Sequence, residues 1–209
     1  MTQRLSQIPR PRASAYEGRK SLFLVPNYIV APGIPEEAQA LIEKYWSEVR
    51  DSITNLERSL GSVSKVYHEM ICVDDDLGLQ QIEVLNPNAC TLVRAMCQST
   101  ASLRSLEDAE LVAEHSDWQR ILAMGPVSQK VLQASIEGYQ TTLSSRYQGI
   151  ADRIAVDLEQ DECAVLFIHE DHKVQFPTDV QVFYVAPPSL DALKRWLSEY
   201  FHTPPPDSQ

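Results

Sequence analysis

Two short segments concentrate the chemistry-bearing side chains of this chain. One is Lys65-Val66-Tyr67-His68-Glu69 and the other is Leu166-Phe167-Ile168-His169-Glu170-Asp171-His172. Each is an apolar, strand-like stretch followed directly by His-Glu. Imidazole nitrogens and carboxylates can bind a divalent transition metal and activate water. Without a metal, a carboxylate can orient a histidine as a general base. His68, His169, Glu170 and His172 form the candidate metal set, with Asp74-Asp75-Asp76 as further oxygen donors. His68, Glu69, Glu107, Arg146 and His172 form the candidate catalytic set. HExxH is not satisfied, because position 173 is Lys. Adjacent His and Glu on a strand point to opposite faces, so at most one of each pair is expected to face a shared crevice.

Phosphate-cradling loops are absent. The seven glycines are so widely spaced that GxGxxG, the Walker A loop and GxSxG do not occur. Cys72, Cys90, Cys97 and Cys163 contain no CxxC pair, which excludes zinc ribbons and thioredoxin-type motifs and predicts buried free thiols. The 209 residues carry a net charge of -11. Residues 1–20 hold Arg4, Arg10, Arg12, Arg19 and Lys20 against Glu17, so this arm is at +4 and the remainder at -15. An acidic body repels phosphate backbones, so no nucleic acid is expected on the folded part. No apolar run suits a membrane span, and no secretory h-region is found, so the expected location is cytoplasmic.

The elements that must position these residues alternate between strand and helix patterns. Leu22-Phe23-Leu24-Val25 and Tyr28-Ile29-Val30 read as extended, broken by Pro26. Pro35-Glu36-Glu37 starts a helix whose apolar stripe runs from Ala38 to Leu60 and ends at Gly61. A strand is predicted at 63–67. Short helices are predicted at 77–85, 90–98, 107–114 and 117–124, with a strand or turn at 101–106. Leu132, Ile136, Tyr139, Leu143, Tyr147, Ile150, Ile154 and Leu158 keep one face over a long helix of about 127–159. That helix lies across its own domain or forms a homodimeric coiled coil. Cys163 to Ile168 is a continuous apolar run expected as a central strand. Another strand follows at 180–185, then a helix after Ser189. The pattern predicts an α/β layered fold with a largely parallel central sheet. The expected organisation is a flexible basic arm over 1–20, one domain over 21–202 and a Pro-rich tail over 203–209. In such sheets ligands bind at the carboxyl edge, where the two His-Glu segments end.

Arg146…Ile150-Ala151…Ile154, followed by a turn, an apolar strand and His172, resembles the erythromycin esterase, ChaN and TraB-like group. In that group an Arg-bearing helix precedes a strand that ends near a functional histidine. An earlier strand there ends in Gly-Glu-x-His, where this chain has His68-Glu69, and Tyr147 replaces the acid after the arginine. The resemblance spans about residues 62–172 and implies a three-layer α/β domain with a hydrolase or a metal- or haem-handling ancestry. The 174–196 segment also looks like uncharacterised bacterial proteins of similar size. Three functions stay open: binding of a small ligand or divalent metal at strand ends, a hydrolase-like enzyme using the His/Glu/Arg site, and a helix-mediated homodimer.

Overall fold

A computed structural model describes residues 18–30 and 34–202 of the chain. Five parallel strands form one sheet, in the order β3-β2-β4-β1-β5. They are β1 (Lys20–Pro26), β2 (Val63–His68), β3 (Ser102–Leu103), β4 (Cys163–Ile168) and β5 (Val180–Tyr184). The helices are α1 (Glu36–Leu60), α2 (Asp75–Leu85), α3 (Pro87–Cys97), α4 (Ala109–Ala123), α5 (Gln129–Asp157) and α6 (Leu190–His202). The predicted layered α/β fold is the observed one.

Strand alternation splits the core into two sides. Phe23, Val25, Val66, Val165 and Phe167 meet α1, α2, α3 and α6. Leu22, Leu24, Tyr67, Leu166 and Ile168 meet α5 and the β4–β5 connection, where Val174 and Phe176 pack. Right-handed crossovers explain the division. The chain moves in one direction along the sheet from β1 to β2 to β3, and in the other from β3 to β4 to β5. The loops leaving β2 and β1 therefore go to one face, and those leaving β3 and β4 to the other. That divergence opens the carboxyl edge on both sides of β4, whose six residues are all buried.

Local chemistry accounts for the element ends. Glu36 and Glu37 occupy the first turn of α1 directly after Pro35, and Gly61 closes the helix at φ 115. Pro87 opens α3, and the Asn86 side chain accepts from Ala89 N at 3.2 Å. Where two short helices were expected over 107–124, a single α4 runs through. Ser116 Oγ donates to Val112 O at 2.8 Å, so this residue satisfies its hydroxyl within the helix instead of ending it. The α4 and α5 helices form a hairpin in which Gly138 lies under the Trp118 indole, and a Cβ there would overlap the ring. β1 stops at Pro26 and is not resumed at Tyr28. Pro26 leaves no N–H for a further ladder bond, and Tyr28 OH instead donates to Glu170 Oε2 at 2.9 Å.

Part of the expected arm belongs to the fold. Lys20 begins β1, donates to Ala155 O at 2.8 Å and pairs with Asp179 at 3.1 Å. Residues 1–17 and the 203–209 tail lie outside the described residues. All four cysteines are free, with Cys90 and Cys163 buried. Among the described residues no helix is long and apolar enough to cross a membrane.

Candidate functional site

Three neighbouring strands deliver three consecutive polar side chains to the carboxyl edge. Asn27 follows β1, Glu69 follows β2 and His169 follows β4. The sheet ladder sets their height: Glu69 N donates to Phe167 O and Asn27 N donates to Ile168 O, both at 2.9 Å. Glu69 is buried and fully engaged. Asn27 Nδ2 donates to its Oε1 at 2.9 Å, and His169 Nδ1 meets its Oε2 at 2.7 Å. Asn27 is oriented in turn by Asn86, whose Nδ2 donates to Asn27 Oδ1 at 2.8 Å. Burial pushes the Glu69 carboxyl upward, but the bonds from His169 and Asn27 outweigh it and hold the group below its ordinary range.

The chain of bonds continues outward. Tyr147 OH lies 2.8 Å from His169 Nε2. Because a carboxylate only accepts, His169 Nδ1 carries the proton toward Glu69. In the neutral ring Nε2 then accepts from Tyr147, whose phenol burial holds protonated. Glu69, His169 and Tyr147 thus form a hydrogen-bonded chain from a buried carboxylate to a phenol. Tyr147 also lines a cavity of about 330 Å³ with Leu143, Ser144 and Lys173.

A second glutamate, Glu107, lies beyond β3 on the same edge. Arg146 of α5 grips it through Nε–Oε2 at 2.6 Å and Nη2–Oε1 at 2.9 Å, and both side chains are buried. Met70 N adds a third donor to Glu107 at 2.6 Å. Met70 reaches it at φ 65, a left-handed conformation that a long side chain adopts at a cost. Leu106 N and Glu107 N both donate to Ile71 O, so the loops after β2 and β3 are stapled together.

The other expected residues are dispersed. His68 is fully buried on the opposite face, stacked on Phe167 with centroids 6.0 Å apart. Its Nδ1 contacts Glu69 O at 2.7 Å, and its Nε2 has no partner among the described residues. Burial lowers its pKa and keeps it neutral. Glu170 points away from Glu69, accepting from Tyr28, Tyr184 and Lys194. His172 stands edge-on to His169 with centroids 6.4 Å apart, and its Nδ1 accepts from Val174 N at 3.3 Å. Burial lowers its pKa, and His169 adds to the effect. Asp74 accepts from Ser105 N at 2.6 Å, while Asp75 and Asp76 occupy the first turn of α2. His68, His169, Glu170 and His172 are therefore not gathered. Among the described residues no group of three or more His, Cys, Asp or Glu side chains is placed to hold a metal ion. Strand alternation is the reason: it sends His68 and Glu69 to opposite faces, and does the same at 169 and 170.

Three participants were not singled out by the sequence. Asn27 and Asn86 are single amides whose roles depend on cross-strand and cross-loop contacts. His115 is buried in the α4–α5 hairpin, with Nδ1 3.2 Å from Thr142 Oγ1 and its ring 4.7 Å from Tyr139. Burial lowers its pKa, with the nearby Arg146 charge as a lesser cause. The one available signal was Tyr147, which follows Arg146 on α5.

The chain matches no family model, and neither a curated protein nor a solved structure is found to be similar to it.

Proposed function

We propose that this protein binds a small polar ligand at the carboxyl edge of its sheet and moves a proton on that ligand through Glu69, His169 and Tyr147. The observation that carries the reading is the unbroken 2.7 Å and 2.8 Å chain joining the three groups. A buried carboxylate that accepts from Nδ1 stabilises the imidazolium formed when Nε2 takes a proton. Tyr147 is placed to hand that proton onward or to yield its position to a ligand hydroxyl or water. With water as the acceptor's partner, the same base supports hydrolase-like chemistry. Arg146 and Glu107 hold the neighbouring loops and are not the proton carriers in this reading.

The test is a nuclear magnetic resonance screen of hydroxylated, carboxamide and ester fragments against the full chain, read at His169 and Tyr147. Fragments that shift both resonances in the wild type and not in Tyr147→Phe are expected. Ester fragments are followed for turnover in the same samples, and any rate is expected to fall in Glu69→Gln. Hits confined to other surfaces, or none, would overturn the reading.

Self-association is a second reading, favoured by exposed apolar residues at the α4–α5 turn. Met124 is 79% exposed and Val127 is 100% exposed. Sedimentation over a concentration series is expected to show a dimer that Val127→Asp weakens. A strict monomer removes this reading.

A further inference from the structure

An open groove of about 670 Å³ lies between α2 and α4. Its walls are mainly aliphatic: Leu77 and Val84 from α2 face Val112 and Ala113 from α4, with Gln80 and Gln81 as the polar part of the lining. Leu77 is 63% exposed and Val84 is 85% exposed, one i, i+7 step apart on the same helix face. Single exposed apolar side chains are ordinary, but two lining one concave wall are not scattered exposure. Met70, held at φ 65 by its bond to Glu107, also lines the groove.

At one end the character changes. Cys72 and Ala109 line both this groove and a neighbouring cavity of about 470 Å³, so the two spaces adjoin. The second cavity is walled by Glu107, Arg146 and Arg153. Arg146 commits Nε and Nη2 to Glu107, which leaves Nη1 without a protein partner among the described residues. Arg153 forms no direct salt bridge among the described residues, and its charge helps hold the Asp74 carboxyl low. The acids beside them are already engaged. Glu107 accepts from Arg146 and Met70, and Asp108 Oδ1 accepts from Leu111 N at 2.9 Å. The first residue of α4 is Ala109, so the positive end of that helix dipole adds to the two guanidinium groups. An aliphatic trough adjoining a cavity that holds two arginines suits a ligand with an apolar chain and an anionic head. Each space by itself is within the usual size range of small-molecule sites.

We infer that this groove and the cavity adjoining it bind a free aliphatic carboxylate. Its chain lies against Leu77, Val84 and Val112, and its carboxylate reaches Arg153 and Arg146 Nη1. The inference deepens the proposed function by naming a ligand class, and rests on it only in treating the carboxyl edge as the ligand-binding side.

Calorimetric titration of the full chain with octanoate, decanoate and dodecanoate below their micelle concentrations tests it, with decanol as the uncharged arm. Saturable binding at one site is expected, strengthening about two- to fourfold for each methylene buried. Leu77→Asp and Val84→Asp replace exposed side chains, so the fold should tolerate them, and each should abolish decanoate binding. Arg153→Gln should weaken decanoate about fivefold and leave decanol unchanged. No saturable binding, affinity independent of chain length, or equal affinity for decanol and decanoate would each overturn the inference. His169 and Tyr147 resonances are read in the same samples. An empty groove beside a fragment-responsive His169 removes this inference alone. Decanoate bound in the groove, with no fragment reaching His169 and Tyr147, removes the proton-transfer reading alone.

Discussion

Two strand-end glutamates meet basic side chains at the same sheet edge, with opposite consequences. Glu107 and Arg146 are joined by two parallel bonds, and their side chains are 2% and 6% exposed. Glu69 is as deeply placed at 7%, but its partner His169 is 39% exposed. The first pair is closed: a permanently charged guanidinium satisfies a carboxylate that also holds Met70 N. The second pair opens at one end onto a partly exposed imidazole that contacts a phenol. A closed buried pair orders loops, whereas an open one can exchange protons with a ligand. Similar residue types make a closed contact in one place and an open one in the other, because exposure and the choice of base differ.

The largest expected effect comes from breaking the closed pair. Arg146→Ala leaves Glu107 buried without its countercharge and should lower stability by about 3–5 kcal/mol in urea unfolding. Loss of less than about 1 kcal/mol would show that the pair does not order the edge. Glu69→Gln should cost less, about 1–2 kcal/mol, because water screens the exposed His169 side of that bond. Its sharper readout is His169 itself: with the carboxylate replaced by an amide, the ring resonances should shift as the 2.7 Å Nδ1 contact changes. Unchanged resonances would separate Glu69 from His169 functionally. Tyr147→Phe should cost about 0.5–1.5 kcal/mol and leave Arg146 in place. A loss as large as that of Arg146→Ala would merge the two regions into one unit.

The smallest effect at neutral pH concerns two buried histidines, His68 and His115, and the half-buried His172. His68, His115 and His172 have pKa values lowered by burial. The unfolded chain therefore takes up their protons first. The associated stability is complete above about pH 6.5 and is lost as pH falls from there toward the lower folded values. Unfolding free energy should be flat from pH 8 to 7 and decline below about 6.5. His68→Leu should flatten part of that decline. A pH-independent stability between 7 and 5 would show that these rings are not held neutral by the fold.

Much of the architecture was legible in the sequence for local reasons. The Cys163–Ile168 run contains no polar residue, so it had to be a strand covered on both faces, and it lies at the sheet centre. Pro35 with two following acids marked the start of α1, and Gly61 marked its end. Alternation told that only one member of each His-Glu pair faces the crevice, and Glu69 is the one that bonds His169. The break expected within α4 was less legible, because Ser116 satisfies its hydroxyl inside a helix as readily as at a cap.

Residue order alone thus determined the α/β rhythm, the parallel sheet and the placement of polar residues at strand ends, since these follow from periodicity over a few neighbours. Only the tertiary structure decided which polar groups meet. Strand order placed β4 between β2 and β1, which brought His169 to Glu69 and Asn27 across 100 and 42 positions of sequence separation from Glu69. It turned Glu170 toward Tyr28, Tyr184 and Lys194, and enclosed Arg146 on Glu107. Long-range pairing is set by sheet topology and burial, and neither is written in the spacing of any single segment.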